Sequence, residues 1–189
     1  HIIEHHPELK VLYITSEDFT NQVIEAIRSN KVSHDNSATT NLRKKFRSVD
    51  VLLIDDIQFI IGKESSQLEF FNTFETLFQL NKQIVISSDK PPRDMPELDD
   101  RYRTRFSSGL LVDIQPPDYE TRMAIIKNKA MSLGLEFPDD VCEYIAENIT
   151  TNVRQIEGTV KKILAYRDLQ GMPLDVASVS RAIKDMYKG

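Results

Sequence analysis

The sequence predicts an α/β core with a parallel sheet, followed by a small all-helical domain. Two observations lead to this expectation. Up to about residue 114, short aliphatic runs alternate with amphipathic helical patterns, as in sheets whose strands are joined by right-handed crossovers. After Pro116 and Pro117, apolar residues recur only at helical spacing. We therefore expect an α/β core over residues 1–116 and a helical domain over residues 117–189.

Four short aliphatic runs are the candidate strands. Val11 to Thr15 is rich in β-branched and aromatic residues, which favour strands. Val49 to Asp56 contains four consecutive aliphatic residues, as expected for a strand that is buried on both faces of a parallel sheet. Gln83 to Ser88 and Gly109 to Ile114 are two further candidates for buried strands.

Helical patterns and one loop separate these strands. Ser16 is a good N-cap for a first helix. The segment from Ser33 to Asn41 is small and polar, so we expect a loop there. A second helix is expected from Leu68 to Leu80, and a short arginine-rich helix from Asp99 to Phe106.

The C-terminal region contains signals for four helices, which would form a small bundle. Asp118 is a good N-cap for the first, and Gly134 is a good terminator for it. The second follows Pro138. The third begins near Asn152 and ends before a glycine at position 171, and Asp175 opens the fourth.

The composition is that of a globular protein and narrows the possible chemistry. The chain has 189 residues, 40% of them hydrophobic and 28% charged, with a formal net charge of −5. This balance lacks the broad basic footprint of duplex-DNA-binding domains. The single cysteine, Cys142, excludes a disulfide framework and fits a reducing compartment. No apolar run approaches the ~18 residues that would indicate a membrane span.

Glycine is scarce, and this excludes one kind of phosphate site. The chain has six glycines, and no two are closer than thirteen positions. A glycine-rich phosphate cradle needs several glycines within a few residues. Neither the P-loop pattern nor the dinucleotide-binding fingerprint is therefore present in these 189 residues.

Acidic residues follow two of the predicted strands. Asp55 and Asp56 end the most aliphatic strand, and Asp89 follows the next one. Ligands of parallel α/β sheets bind at the carboxyl ends of the strands. The first acid could hold a hydrated magnesium ion and the second could orient or deprotonate a water molecule. The alternative is that these are turn or helix-capping acids, and for Asp89 alone a turn residue is the simpler interpretation.

Several basic residues have both a functional and an ordinary interpretation. Arg101 and Arg105 share one helical face, from which an arginine could reach a neighbour's phosphate or pair with nearby acids. Arg154 occupies the first turn of a helix, where a cation is unfavourable, so it could reach a nucleotide or simply be solvated. The basic segment from Arg43 to Arg47 fits a solvated helix face better than a nucleic-acid contact. His1 and His5 would need a third ligand to bind a metal.

Several segments together resemble the DnaA family of bacterial replication initiators, which are AAA+ ATPases. The segment VLLIDDIQF (51–59) is similar to the family's Walker B region. Further similar segments are VLYITSED (11–18), KQIVISSD (82–89), DRYRTRF (100–106), DIQPPDYETR (113–122) and NVRQIEG (152–158).

The resemblance implies a role for each candidate residue. Asp55 would coordinate Mg²⁺, and Asp56 would be the catalytic acid of Walker B. Asp89 would be sensor 1. Arg105 would be the arginine finger that acts on a neighbouring copy's ATP, supported by Arg101. Arg154 would be sensor 2, which contacts ATP from the helical lid. Ile24 and Lys63 match positions that are associated with single-stranded DNA in the family.

The resemblance also implies what lies outside these residues. In the family, the Walker A loop and its strand precede the position of His1, and a DNA-reading helix-turn-helix follows that of Gly189. The missing strand would lie between those of 83–88 and 109–114, so we expect a gap in the sheet or its completion by another chain. Ser65 stands where the family usually has a basic residue, which weakens the single-strand interpretation.

The implied function is replication initiation in the bacterial cytoplasm. Such a protein binds ATP or ADP with Mg²⁺, slowly hydrolyses ATP, forms filaments on origin DNA and melts the duplex. Its partners would be other copies of itself, single-stranded origin DNA, the replicative helicase and regulatory proteins. The fragment alone is expected to be inactive and to bind no nucleotide tightly. The alternatives are a non-hydrolysing AAA+ regulatory or helicase-loader-like module, and a simple nucleic-acid-binding domain, which the net charge of −5 disfavours.

Overall fold

The computed structural model describes residues 1–187, which divide into two compact units, one over 1–111 and the other from residue 112 onward. The first unit contains a parallel sheet in the order β1-β2-β3. The strands of the described residues are β1 (Val11–Thr15), β2 (Val51–Asp55) and β3 (Gln83–Ile86). The register places Thr15 beside Asp55 and Ile54 beside Ile86, so all three strands end at the same edge.

Helices cover one face of this sheet. The helices of this unit are α1 (Ile2–His5), α2 (Ser16–Ser33), α3 (Ser37–Arg47), α4 (Glu64–Gln79) and α5 (Asp100–Ser107), with 3₁₀ turns at Ile57–Phe59 and Pro92–Asp94. Ile14, Leu52 and Ile54 belong to a core shared with Phe19 of α2 and Phe70 of α4, and all five are nearly inaccessible to solvent. Exposure elsewhere on the sheet varies, since one tyrosine of β1 is 61% exposed whereas Val51 of β2 is 4% exposed.

The second unit is helical, and the predicted start and stop signals are confirmed. Asp118 accepts a hydrogen bond from the Thr121 amide, and Asn152 accepts one from the Gln155 amide, both at 2.8 Å. Gly134 and Gly171 follow helices with positive φ angles of 77° and 64°. The helices are α6 (Tyr119–Ser132), α7 (Asp139–Asn148), α8 (Val153–Gln170) and α9 (Val176–Tyr187), around a core that includes Ile126, Cys142, Ile145, Ile156 and Ile163. The predicted limits 1–116 and 117–189 remain a prediction.

The predicted strand at 109–114 is wrong. These residues form no strand, and Leu110 and Ile114 are 92% and 90% exposed. A strand needs a neighbour for its ladder of hydrogen bonds, and the described residues supply none beside this segment. The expected gap is also absent from the described residues, because β1, β2 and β3 form a continuous sheet that stops at β3. An aliphatic run thus indicates that a segment can form a β-strand, but it does not show whether a neighbouring strand is present.

The predicted loop from Ser33 to Asn41 is wrong as well. Helix α2 continues to Ser33, and α3 starts at Ser37. The turn between them places His34 in the left-handed region at φ 56°. The amides at positions 38 and 39 donate to the Asn30 side-chain oxygen at 3.1 and 3.4 Å, so a residue of α2 satisfies amides in the first turn of α3. Asp35 also accepts from the Ser37 amide at 2.8 Å, so the first turn of α3 is capped both locally and from α2.

The cap of α2 differs by one residue from the expected one. Thr15 is the N-cap, and its hydroxyl accepts from the Asp18 amide at 3.1 Å, whereas Ser16 is buried inside the helix. The cap is therefore the last residue of β1, and strand and helix join without a loop.

None of the helices within residues 1–187 is both long and apolar enough to cross a membrane. This agrees with the sequence, in which apolar runs are short.

We predict that Asn30→Ala weakens the first turn of α3. Loss of a capping acceptor typically costs about 1 kcal/mol, so the Ala38 and Thr39 amides should exchange with solvent deuterium faster. Asn41→Ala, an exposed residue of the same helix, is the matched control and should leave these rates unchanged. Equal exchange rates in Asn30→Ala and the unmodified chain would show that Asn30 does not cap α3.

Candidate functional site

Three carboxylates follow the strands at the carboxyl edge of the sheet. Asp55 is the last residue of β2, Asp56 comes next, and Asp89 follows β3 as an exposed residue. Asp56 has φ 58° and ψ 55°, a left-handed conformation that aspartate adopts more readily than most residues but at some cost. The regular extended backbone of β2 therefore ends at this position.

Ser87 holds this turn in place from the end of β3. Its hydroxyl accepts a hydrogen bond from the Asp56 amide at 2.9 Å and donates one to the Asp55 carboxylate. Its backbone amide donates to Ile54 and its carbonyl accepts from Ile57, each at 3.0 Å. One serine therefore fixes the residues on both sides of Asp56. The sequence places Ser87 in a polar cluster after the strand but does not identify it as a site residue.

Tyr13 approaches Asp55 from the other neighbouring strand. Its hydroxyl donates to the second oxygen of the Asp55 carboxylate at 2.9 Å. The hydrogen bond to Asp55, desolvation and the negative charges of Asp55 and Asp56 raise the pKa of Tyr13 above its usual value. Sequence reasoning missed Tyr13, although a polar-tipped aromatic residue two positions from the end of a strand was a usable signal.

The donor set fits a hydrated magnesium ion. Mg²⁺ prefers oxygen ligands and keeps several water molecules, so it needs few direct bonds to protein. A carboxylate has about four lone-pair sites, so the bonds from Tyr13 and Ser87 are compatible with further bonds from Asp55 to metal-bound water. Gln58 donates to Asp56 at 3.1 Å, and its own side-chain oxygen is buried without a hydrogen bond within residues 1–187. The carboxyl edge of the sheet therefore combines carboxylate oxygens with an amide oxygen that has no hydrogen-bond donor within residues 1–187.

The three arginines of α5 have different surroundings. Arg103 is structural, since it pairs with Asp100 at 2.7 Å and donates to the Leu98 carbonyl at 2.7 Å. Arg101 lies over the ring of the neighbouring tyrosine, with its guanidinium carbon 4.5 Å from the ring centroid, and donates to the tyrosine hydroxyl. Arg105 pairs with an acid of α4 and is about one-third exposed.

Arg154 lies in the second unit, so the described contacts do not place it with the carboxylates. It occupies the first turn of α8, is exposed, and makes no ion pair or hydrogen bond within residues 1–187. Its position at a helix N-terminus agrees with the sequence, and its role remains a prediction.

The candidate nucleic-acid residues are exposed, whereas the basic segment is largely paired. Ile24 is 38% exposed on α2, and the Lys63 side chain is exposed just before α4. In the basic segment, Arg43 and Arg47 both pair with the nearly buried Glu69. These contacts favour a structural role for the two arginines.

A third potential metal ligand exists beside His1 and His5. Glu4 brings a carboxylate oxygen within 4.8 Å of the ring nitrogens of both histidines. All three residues are exposed, and exposed acidic groups of this kind are common without a metal.

Comparisons with known proteins agree on one family. A family model described as the bacterial DnaA ATPase domain matches residues 1–113. The chromosomal replication initiator protein DnaA of Lachnoclostridium phytofermentans is 53% identical over 186 residues, which are 98% of this chain and 40% of that protein. The chain thus spans about 40% of the length of the curated relatives it matches.

Solved structures confirm the fold class predicted from the sequence. The crystal structure of domain III from the Thermotoga maritima replication initiation protein DnaA has a TM-score of 0.88 at 38% identity, covering 100% of this chain and 76% of that chain. A replication initiator DnaA bound to AMPPCP and single-stranded DNA has a TM-score of 0.72 at 36% identity, covering 90% of this chain and 50% of that one. The α/β core and the helical unit that follows it therefore have an AAA+ fold.

We predict that Asp55→Asn lowers the pKa of Tyr13. The Asp55 carboxylate accepts the phenolic hydrogen bond, and its negative charge disfavours the phenolate form of Tyr13. The substitution removes this charge, so the phenolate should form at lower pH. The pKa would be followed by NMR of Tyr13 during an alkaline titration. Asp94→Asn, which changes an exposed carboxylate of the same unit, is the control and should leave the titration unchanged. An unaltered Tyr13 titration in Asp55→Asn would contradict the observed hydrogen bond.

Proposed function

This chain belongs to the bacterial DnaA ATPase domain family, and on that premise we propose that it forms the Walker B, sensor and lid portion of an ATP-driven replication initiator. The observation that supports this most directly is the pair Asp55-Asp56 at the end of the central strand, which Tyr13 and Ser87 hold from both sides. The relative that was solved with AMPPCP and single-stranded DNA supports a nucleotide and a DNA strand as ligands.

In this proposal Asp55 and Asp56 divide the work on Mg-ATP. Asp55 holds the hydrated metal, while Tyr13 and Ser87 fix the orientation of its carboxylate. Asp56 accepts a proton from the attacking water or orients that water, and Gln58 keeps its side chain in place. When bound, Mg²⁺ neutralises the charge that develops on the phosphate oxygens.

The remaining site residues act at the γ-phosphate or around it. Asp89, whose side chain has no hydrogen bond or ion pair to any other residue of 1–187, serves as sensor 1. Arg105 acts on the ATP of a neighbouring copy as an arginine finger, and Arg101 supports it. Arg154 serves as sensor 2 from the helical lid, where its exposed side chain leaves it available to a phosphate.

The partners in this proposal are nucleic acid and protein. Single-stranded origin DNA contacts the exposed Ile24 and Lys63 when copies of the protein assemble in a filament. The limited basic surface and net charge of −5 favour a contact that depends on this assembly over direct binding by one copy. The replicative helicase, regulatory proteins and a bacterial cytoplasmic location complete the proposal.

We predict that the isolated 189-residue chain does not bind ATP tightly, with or without Mg²⁺. Its glycines are too far apart to form a phosphate cradle, so the main source of affinity for the triphosphate is lacking. Calorimetric titration should show no saturation at ATP concentrations that saturate the full-length gene product. Tight, magnesium-dependent binding by the isolated chain would overturn this expectation.

For the full-length gene product, we predict that Asp56→Asn lowers the rate constant for ATP hydrolysis by about 100-fold, because a positioned general base typically contributes roughly 10²–10⁴-fold. ATP binding should persist, as measured with a fluorescent nucleotide. Asp55→Asn should instead raise the Mg²⁺ concentration that supports half-maximal hydrolysis. Asp94→Asn is the control for a surface carboxylate, and unchanged hydrolysis in Asp56→Asn would refute the assigned role.

A further inference from the structure

Aromatic side chains fix α5 against α4. The rings of Phe71 and Tyr102 are stacked, with centroids 3.4 Å apart and an interplanar angle of 10°. Phe106 meets Phe74 edge to face, with centroids 5.2 Å apart. Because both α5 aromatics pack on α4, the backbone position of every α5 residue between them is set by α4.

Arg105 lies between these two aromatic anchors and is held at two points of α4. Its Nε lies 2.8 Å from Oε1 of Glu75, and its guanidinium carbon lies 5.1 Å from the ring centroid of Phe78. Glu75 and Phe78 are three residues apart, so they share one face of α4. The ion pair and the cation–π contact therefore restrict the same guanidinium from two sides.

The contact with Glu75 involves the inner nitrogen of the guanidinium. Within residues 1–187, the two terminal nitrogens of Arg105 make no hydrogen bond. The side chains of Arg105 and Glu75 are 35% and 23% exposed, so the arginine reaches solvent while the carboxylate is more enclosed. The terminal pair of nitrogens is a part of arginine that can bind a phosphate bidentately.

We propose that Glu75 is a positioning residue for Arg105. It restricts the long side chain before a phosphate arrives and leaves the terminal nitrogens available to the nucleotide of another copy. The inference rests on the proposed function, since it needs Arg105 to act on a neighbour's ATP. Glu75 itself touches neither the nucleotide nor the reacting atoms, and it acts through Arg105.

The test mixes two forms of the full-length gene product. Acceptor copies carry Arg105→Ala, so they bind ATP but offer no finger. Donor copies carry Asp56→Asn, so they offer Arg105 but hydrolyse their own ATP about 100-fold more slowly. After the rates of donor alone and acceptor alone are subtracted, hydrolysis in the mixture reports a donor's Arg105 acting on an acceptor's ATP. Glu75 is varied in the donor alone.

We expect Glu75→Gln in the donor to lower kcat of the mixture by about tenfold, the scale of loss expected when a catalytic group is mispositioned by less than about 1 Å. The ATP concentration for half-maximal rate should not change, because the acceptor's own site is intact. Glu75→Asp keeps the charge on a shorter side chain and should give an intermediate kcat. Asn72→Ala, an exposed polar residue of the same helix, is the matched control and should match the unmodified donor.

Two kinds of failure can be told apart. If donors that retain Glu75 support no ATP hydrolysis in the mixture, the proposed role of Arg105 itself is overturned. If donors with and without the Glu75→Gln substitution support equal rates, only the positioning role is overturned. A faster rate with Glu75→Gln would also overturn it, because Glu75 would then restrain Arg105 from reaching the phosphate.

Discussion

The position of β2 between two parallel neighbours is the constraint on which the rest of the site depends. Parallel pairing brings the ends of β1, β2 and β3 to one edge, where Tyr13 and Ser87 meet the two oxygens of Asp55. A one-residue shift in register would move each side chain to the opposite face of the sheet. The buried Leu52 and Ile54 oppose such a shift, so the hydrophobic core also fixes the chemistry.

The hydrophobic periodicity of the sequence predicts most of the helices and strands. The predictions are wrong where a segment's structure depends on contacts with residues that are distant in sequence. The runs at 11–15 and 83–86 form strands because β2 pairs with both, whereas 109–114 has the same aliphatic character and no neighbouring strand among the described residues. The start of α3 is held by Asn30 of the preceding helix together with Asp35, which accepts from the Ser37 amide. Polar composition alone predicts a loop there, since sequence propensity does not register a cap supplied from another helix.

The sequence predicts the charged residues of the candidate site but not the residues that hydrogen-bond to them. An aliphatic strand that ends in two acids indicates Asp55 and Asp56, because ligands of parallel sheets bind at the carboxyl ends of the strands. Tyr13 and Ser87 emerge only when the register is known, since they lie 42 and 32 residues from Asp55 in sequence. Arg103 is an example of a charged residue whose role the sequence does not reveal. It lies in the same arginine-rich helix as Arg101 and Arg105, but its hydrogen bonds to backbone carbonyls make it structural.

The backbone at Asp56 links the stability of the fold to its proposed chemistry. A left-handed residue costs free energy, and it persists only where surrounding bonds determine it. Ser87 supplies these bonds by accepting from the Asp56 amide and from the following Ile57 amide. Ser87, which follows β3, therefore stabilises the left-handed conformation at Asp56. Because Asp55 bonds to Tyr13 and Ser87 while Asp56 bonds to Gln58, the two adjacent acids have different surroundings, which is compatible with different roles in the proposed chemistry.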